Sequence, residues 1–543
     1  MAWTNKGSAH RPVVMGRRGV VASAHYLASL AGQRMLLQGG NAIDAAVAVA
    51  AALNVVEPYM SGMAGCGYMF IYDAKSERRI ILDYNGCSPY AVDATRITNP
   101  QDLESGIRSA LTPGALGGWL TALEKYGTMD RATVFQPAIE YAEGGFPLSI
   151  NNARFFASNA ARLRDWPTST ANYLPDGQPP VAGEIFTQPN LARSFRTIVE
   201  GGKDAFYKGE IGKEIVRFSE ENGGLITQKD LDDFTPEWVE PIGVNYRGYD
   251  VYCPPPPCSG IQYLETLNIV EGFDMAGMGQ NSAAYIHHLA EAMKLAVADR
   301  AEYAAATDAP VKVLLSKEYA AHRRSLINAQ KAGMAGGDRY TSKKRQDEIL
   351  AGDPYKMKQS TTHFDVADEH GNAVCVTQSL GAGFGSGVVM GNTGLALNNL
   401  AYWMDLDPAS PNALAPHRQM EQPMSPAQIW KDGKLFIVIG TPGSFGIMET
   451  TPQMMMNVLD HGFSIQAAIE APRFRTANGT ELPIEGRIPE DVRAELEKLG
   501  HQVQVLDDWT MFVGGGQGIM VDQESGALMG GADPRRDGYA MAW

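Results

Sequence analysis

Apolar and polar positions follow two rhythms along this chain. Through the first 300 residues the apolar positions mostly recur three or four apart, the spacing of one helix face. Residues 25–37 carry Leu27, Leu30 and Met35 in this way and close at Gly39-Gly40. Residues 41–56 are apolar almost all round and stop before Pro58. That pattern predicts a buried central helix, because an exposed one would show a polar face. Helices are also predicted over 113–126, 134–143, 191–200, 209–222, 262–273 and 283–303, those over 191–200 and 209–222 on the surface. Strands are expected over 19–24, in a hairpin of 68–73 with 79–83, and over 246–252 before a run of prolines. Residues 151–190 show no period and read as irregular.

The last third alternates strands and turns. Strands are predicted over 361–368, 373–379, 395–398, 428–430 and 435–440. Asp432-Gly433 between the last two is a strong hairpin signal. Thr441-Pro442-Gly443-Ser444-Phe445-Gly446 then leads into a methionine-rich helix over 447–459. Such a loop aims free N–H groups outward at a helix start, a ready place for an anion. Strands packed on strands with helices outside imply a layered α/β (α+β) architecture. Ser61 to Gly67 is glycine-rich, but it lacks the lysine of a phosphate loop and does not follow a strand. Close backbone packing is the expected reason for its glycines.

Composition narrows the function classes. An apolar content of 44% is enough for a sizeable core, and a net charge of −15 argues against a nucleic-acid partner. Five sparse cysteines, with no secretory h-region in the first 20 residues, suggest a reduced, cytoplasmic setting. The longest apolar run carries Asp44 and Asn54 and is too short to span a bilayer, so no membrane partner is expected. Cys253 and Cys258 bracket four prolines with no second ligand pair, which is not a zinc spacing. His287, His288 and Glu291 are ligand types on a predicted helix. No third ligand presents itself, so a partly solvated helix face is expected there, with no metal and no cofactor.

One stretch carries chemistry. Ser360-Thr361-Thr362-His363 opens a strand behind a polar run, 336–359, with little apolar periodicity. Read alone it is either an ordinary surface hairpin or the cut site of a self-cleaving hydrolase. A cut before Thr361 would free an α-amine beside a hydroxyl, so one residue would supply both base and nucleophile. Thr362 is the rival nucleophile. His363 alternates to the opposite face from Thr362 and reads as structural.

Many short blocks, in order, resemble the γ-glutamyltranspeptidase family of N-terminal-nucleophile hydrolases. They include Gly39-Gly40-Asn41-Ala42-Ile43-Asp44-Ala45-Ala46, Asp299-Arg300-Ala301-Glu302-Tyr303, Thr361-Thr362-His363, Met424-Ser425-Pro426, Thr441-Pro442-Gly443, Ala471-Pro472-Arg473-Phe474 and Asp533-Pro534-Arg535. The resemblance implies a four-layer αββα sandwich and a proenzyme cut between Ser360 and Thr361. Residues 1–360 would form the large subunit and 361–543 the small one, together one globular unit. The family occurs as heterodimers and as pairs of heterodimers. Thr361 would be the nucleophile, Ser379 its supporting hydroxyl, and the N–H groups of Gly443 and Ser444 the oxyanion donors. Substrates would be small amides or γ-glutamyl compounds, with water or an amine as acceptor.

The departures fall on the acyl-group contacts. The family's arginine falls near Ala94, with Arg96 two residues away. Its serine pair becomes Gln422-Pro423, beside Met424. Its asparagine, glutamine and aspartate become Gly381, Leu400 and Trp403. A buried carboxylate or ammonium without partners is costly, so an altered acyl group is expected. The alternatives are an oxamate- or cephalosporin-acylase-like enzyme and an uncleaved ligand-binding protein.

Overall fold

The computed structural model describes residues 7–97, 99–306, 308–333, 360–476 and 479–543. The polar run 336–359 lies outside them. In chain order the strands are β1 (Val14–Gly16), β2 (Gly19–Ser23), β3 (Cys66–Asp73), β4 (Arg78–Asp83), β5 (Phe146–Pro147) and β6 (Ile185–Phe186). There follow β7 (Glu237–Val239), β8 (Ile242–Tyr246), β9 (Tyr249–Cys253), β10 (Ser360–Asp368), β11 (Ala373–Gly381) and β12 (Ala427–Lys431). The last are β13 (Lys434–Gly440), β14 (Glu481–Glu485), β15 (Gln502–Leu506), β16 (Gln517–Val521), β17 (Leu528–Ala532) and β18 (Tyr539–Ala542).

Two seven-stranded antiparallel sheets dominate. One runs β1-β17-β16-β13-β12-β9-β8, the other β18-β2-β10-β11-β3-β4-β7. The period of two assigns each strand residue to a layer. Met69 and Ile71 join the core under one set of helices, while Tyr68 and Phe70 join the core between the sheets. Ile437 and Ile439 pack beneath the other helices, and Val438 faces inward. The result is the expected four-layer αββα sandwich. Both sheets interleave strands from before and after residue 360, with β10 seated between β2 and β11.

The helix Ala42–Val56 is buried at every position, as its unbroken apolar pattern predicts. Asn41 and Asp44 form a capping box at its start. The glycines 62–67 are there for close approach: a Cβ on Gly65 would come within 2.4 Å of the Ser379 carbonyl oxygen. At the Asp432-Gly433 turn both residues have positive φ, +50° and +74°, which gives the two-residue hairpin its fit to the strand twist.

Three expectations fail. Residues 151–190 are not irregular. They form the helices Ile150–Arg164 and Pro167–Tyr173, the first started by a capping box of Ser149 with Asn152. Residues 246–252 are two strands, because Arg247 and Gly248 take positive φ and turn β8 back on β9. Residues 395–398 make only an isolated bridge, Val389 with Ala396.

His25 caps the helix Tyr26–Leu37 by accepting the Leu27 N–H at Nδ1, 3.2 Å away, and is fully buried. Burial pushes its pKa from 6.5 down to about 3, against a smaller opposing effect from Asn152. Between those values the unfolded chain binds a proton that the folded chain refuses. The stability involved is therefore present above pH 6.5 and lost as the pH falls toward 3. His25→Asn keeps a capping oxygen and removes the titration. Thermal melts between pH 6.5 and 4.5 should show the native protein losing more stability than the variant, by up to about 1.4 kcal/mol per pH unit. Parallel curves would contradict this account.

Candidate active site

β10 and β11 stay in register from Ala367↔Ala373 to Thr362↔Gln378 and then slip, so that Ser360 faces Gly381. Two steps along β10 match three along β11. This is a bulge, a device that re-aims side chains at sites. Thr361 sits in it and is 4% exposed. Its hydroxyl donates to Ser379 Oγ at 3.2 Å, and the Ser379 hydroxyl donates to the carbonyl oxygen of Ser360. The Gly381 N–H also donates to Ser379 Oγ, at 2.8 Å. One proton and two lone pairs are thereby all used.

Thr361, His363 and Asp365 alternate with Thr362, Phe364 and Val366 along β10. The His363 ring lies against Gly440 of the facing sheet, where a Cβ would come within 2.4 Å of it. Its Nδ1 pairs with Thr377 Oγ1 at 2.8 Å and its Nε2 with Asp365 at 3.2 Å. His363 thus ties neighbouring strands together. Thr362 donates instead to Glu57 Oε2, at 3.4 Å.

Gly443 has φ +134° and Ser444 φ +54°, a left-handed backbone unusual outside glycine. Among the described residues neither N–H has a hydrogen-bond acceptor, and Ser444 Oγ is buried without a partner. The loop is braced from below. Thr441 Oγ1 accepts the Gly515 N–H at 2.9 Å, and Asp533 Oδ2 accepts the Gly516 N–H at 3.1 Å. Asp533 is itself held by Arg473 and Arg535, all three buried. A fixed pair of N–H groups of this kind can stabilise a developing oxyanion.

The acyl-contact candidates connect to this centre by a run of contacts. Gly381, at φ +101°, leaves room for Asn399, whose Oδ1 would lie 2.2 Å from any Cβ there. Asn399 opens the turn Leu400–Trp403. Trp403 meets Phe445 of the Gly443 loop edge-on, ring centroids 5.7 Å apart. The Arg300 guanidinium lies 4.1 Å over the Phe445 ring and is ion-paired to Glu421, the neighbour of Gln422. Leu400, Trp403 and Met424 share one buried apolar cluster, with Ala94 packed against it. Both polar atoms of the Gln422 side chain are buried without a partner among the described residues. Arg96 is not brought in: its side chain is 86% exposed and paired with Asp93 at 3.0 Å.

The histidine expectation is corrected. His287, His288 and Glu291 are buried rather than partly solvated, and His501 supplies the third ligand type the sequence did not offer. The ligand atoms of His287, Glu291 and His501 lie within 4.8 Å of one another. The Lys294 ammonium sits 2.7 Å from Glu291 Oε1, where a metal's charge would go. The other Glu291 oxygen accepts the Gly333 N–H, and the two imidazoles are hydrogen-bonded at 2.9 Å. This is a buried, hydrogen-bonded polar cluster with a lysine as its cation. The five cysteines are all free.

Sequence reasoning missed three residues here: Glu57, Asn399 and Arg536. Each stands beside a residue that the sequence singles out, Glu57 just before Pro58, Asn399 before Leu400 and Arg536 after Asp533-Pro534-Arg535. Adjacency was the only signal available.

Residues 28–543 match the family profile described as gamma-glutamyltranspeptidase. The chain belongs to that family. It is an enzyme, a self-processing N-terminal-nucleophile amidohydrolase whose family members are cut into two subunits that stay together as a heterodimer. It is 38% identical to the acylase ACY 1 proenzyme of Pseudomonas sp. (strain V22), over 97% of this chain and 94% of that one. It is 36% identical to the glutathione hydrolase proenzyme of Escherichia coli (strain K12), over 96% of this chain and 91% of that one. Its fold matches the crystal structure of cephalosporin acylase from Bacillus halodurans with a TM-score of 0.90 at 33% identity, covering 99% and 98% of the two chains. No helix among the described residues is long and apolar enough to cross a membrane.

Proposed function

We propose that this protein cuts itself between Ser360 and Thr361 and then cleaves amides whose acyl group lacks the charged head of an amino acid. Residues 1–360 and 361–543 become the two subunits, and their interleaved strands keep them together in one unit. Thr361 Oγ attacks the substrate carbonyl while the Thr361 amine takes the hydroxyl proton. An α-amine, whose ordinary pKa is roughly 7.7–8.0, is able to do this close to neutrality. The Gly443 and Ser444 N–H groups face the tetrahedral oxyanion. The proton passes to the departing amine, and water or a second amine releases the acyl group from Thr361.

The acyl preference rests on one observation: Leu400, Trp403 and Met424 belong to a single buried apolar cluster with Ala94 packed against it, and the neutral Gln422 amide is buried without a partner among the described residues. A γ-glutamyl ammonium or carboxylate would enter it unpaired, at a cost of several kcal/mol. The test is a comparison of kcat/KM for pentanoyl-, glutaryl- and γ-glutamyl-p-nitroanilide. The pentanoyl compound should exceed the γ-glutamyl one by at least about tenfold, a difference of about 1.4 kcal/mol. Glutaryl, which keeps the carboxylate but not the amine, separates the two charges. Equal or faster γ-glutamyl turnover would overturn this reading in favour of glutathione hydrolysis or γ-glutamyl transfer.

A further inference from the structure

Two buried opposite charges meet at Thr361-Thr362, and the chemistry above uses neither. Arg536 Nη1 donates to the Thr361 carbonyl oxygen at 3.2 Å. Glu57 Oε2 accepts from Thr362 Oγ1 at 3.4 Å. Glu57 comes from the C-cap of the helix Ala42–Val56, and Arg536 from the segment between β17 and β18. They are 2% and 6% exposed. The Arg536 stem packs on Gly515, where a Cβ would come within 2.7 Å of Cδ, so its approach is fixed from beneath the Gly443 loop. Its Nη1 also contacts Met60 Sδ at 3.2 Å.

The charges around this pair are unequal. Tyr59, Asp533 and Asp537 are the other titratable groups that face it. Asp533 is engaged by Arg473 and Arg535, and Asp537 by Ser149 and Asn151. Tyr59 is buried and accepts from Asn152. Glu57 is the largest charge partner of Arg536, and burial pushes its carboxyl up to about 7 against the pull of Arg536.

Holding a carbonyl fixes the peptide plane and the direction of the substituents on its Cα. Once the Ser360–Thr361 bond is cut, the new amine is bonded to that same Cα. A buried cation so close disfavours an ammonium. We propose that Arg536 is the positioning residue of Thr361: by holding the Thr361 carbonyl it orients the new N-terminus and keeps its amine in the free-base form that takes the hydroxyl proton. This rests on Thr361 being the N-terminal nucleophile.

The test uses full-length Arg536→Gln, Arg536→Lys and Glu57→Gln, with the p-nitroanilide the native enzyme turns over fastest. Rates are normalised to the processed fraction on a denaturing gel. Arg536→Gln removes the cation, so the acid limb of the kcat profile should move up by about one pH unit. Glu57→Gln removes the partial counter-charge that Glu57, with its carboxyl pushed up to about 7, carries along this limb, so the limb should move down, by less than Arg536→Gln moves it up. Arg536→Lys keeps the charge but loses the fork. Its kcat should fall about tenfold with KM and the limb unchanged. A merely structural role would not move the two limbs in opposite directions. Unmoved limbs, or limbs moving the same way, overturn the proposal. If Arg536→Gln shows no cooperative melt, Glu57→Gln and Arg536→Lys decide it. Thr361→Ala separates the two levels: processing and activity in that variant remove the nucleophile reading itself, whereas an inert Thr361→Ala beside unmoved limbs removes only the role of Arg536.

Discussion

Thr361→Ala is expected to run as one 58.7 kDa band after long incubation, and to lose amidase activity by at least about 10⁴-fold. The native chain should run as two bands, near the masses of residues 1–360 and 361–543. The loss has two causes. Without the hydroxyl there is no attack on the Ser360 carbonyl, so no amine is freed. Even a chain cut by other means would then lack the nucleophile. The substitution removes one hydroxyl and one methyl at a bulge, so the fold should survive and the melt should remain cooperative. Thr361→Ser keeps the hydroxyl and should still process. An active Thr361→Ala would shift attention to Thr362, whose hydroxyl points to Glu57 rather than to Ser379. An uncut native chain would contradict the cut before Thr361.

Much of this site was legible in the sequence because its parts are local. The alternation over 361–368 placed Thr361 at a strand start, and Thr441-Pro442-Gly443 before a methionine-rich run marked a loop at a helix N-terminus. The hydroxyl of Ser379 and the replacements at Gly381, Leu400 and Trp403 came from family resemblance, since no spacing rule assigns an acyl pocket. Other features depend on partners distant in the chain. Glu57 and Arg536 are separated by nearly the whole sequence, and the fold alone brings them to adjacent residues of β10, Thr362 and Thr361. His501 reaches His287 across 214 residues, which is why a solvated helix face was expected where a buried cluster exists. The helices within 151–190 are rich in Asn, Arg and Ser, so their apolar stripe of Phe155, Phe156, Ala160 and Leu163 was too thin to announce itself. Arg247-Gly248 hid a turn inside an apparently continuous strand. The sequence contained the residues for it, but a bulky Arg at positive φ is uncommon enough that a turn is not its default reading.

Ser379→Ala should slow self-cleavage by about 10²- to 10³-fold, the cost of losing one oxyanion donor. The direction of its hydrogen bonds carries the argument. Ser379 has a single proton, and the Ser360 carbonyl can only accept, so that proton is committed to the carbonyl of the proposed cut. The Gly381 N–H and the Thr361 hydroxyl occupy its lone pairs. In the proposed cut, Ser379 would polarise the carbonyl under attack while its oxygen anchors the attacking hydroxyl. As negative charge grows on the Ser360 oxygen, this donated bond strengthens, which is the condition for lowering a barrier rather than merely binding a ground state. Ser379→Thr keeps the donor and should process at close to the native rate, unless its extra methyl disturbs the Gly65 backbone packed against residue 379. The readout is the half-time for conversion of the full-length band after refolding. Native-rate processing in Ser379→Ala would mean that the Ser360 carbonyl is polarised from elsewhere, and the bulge would then serve only to aim Thr361.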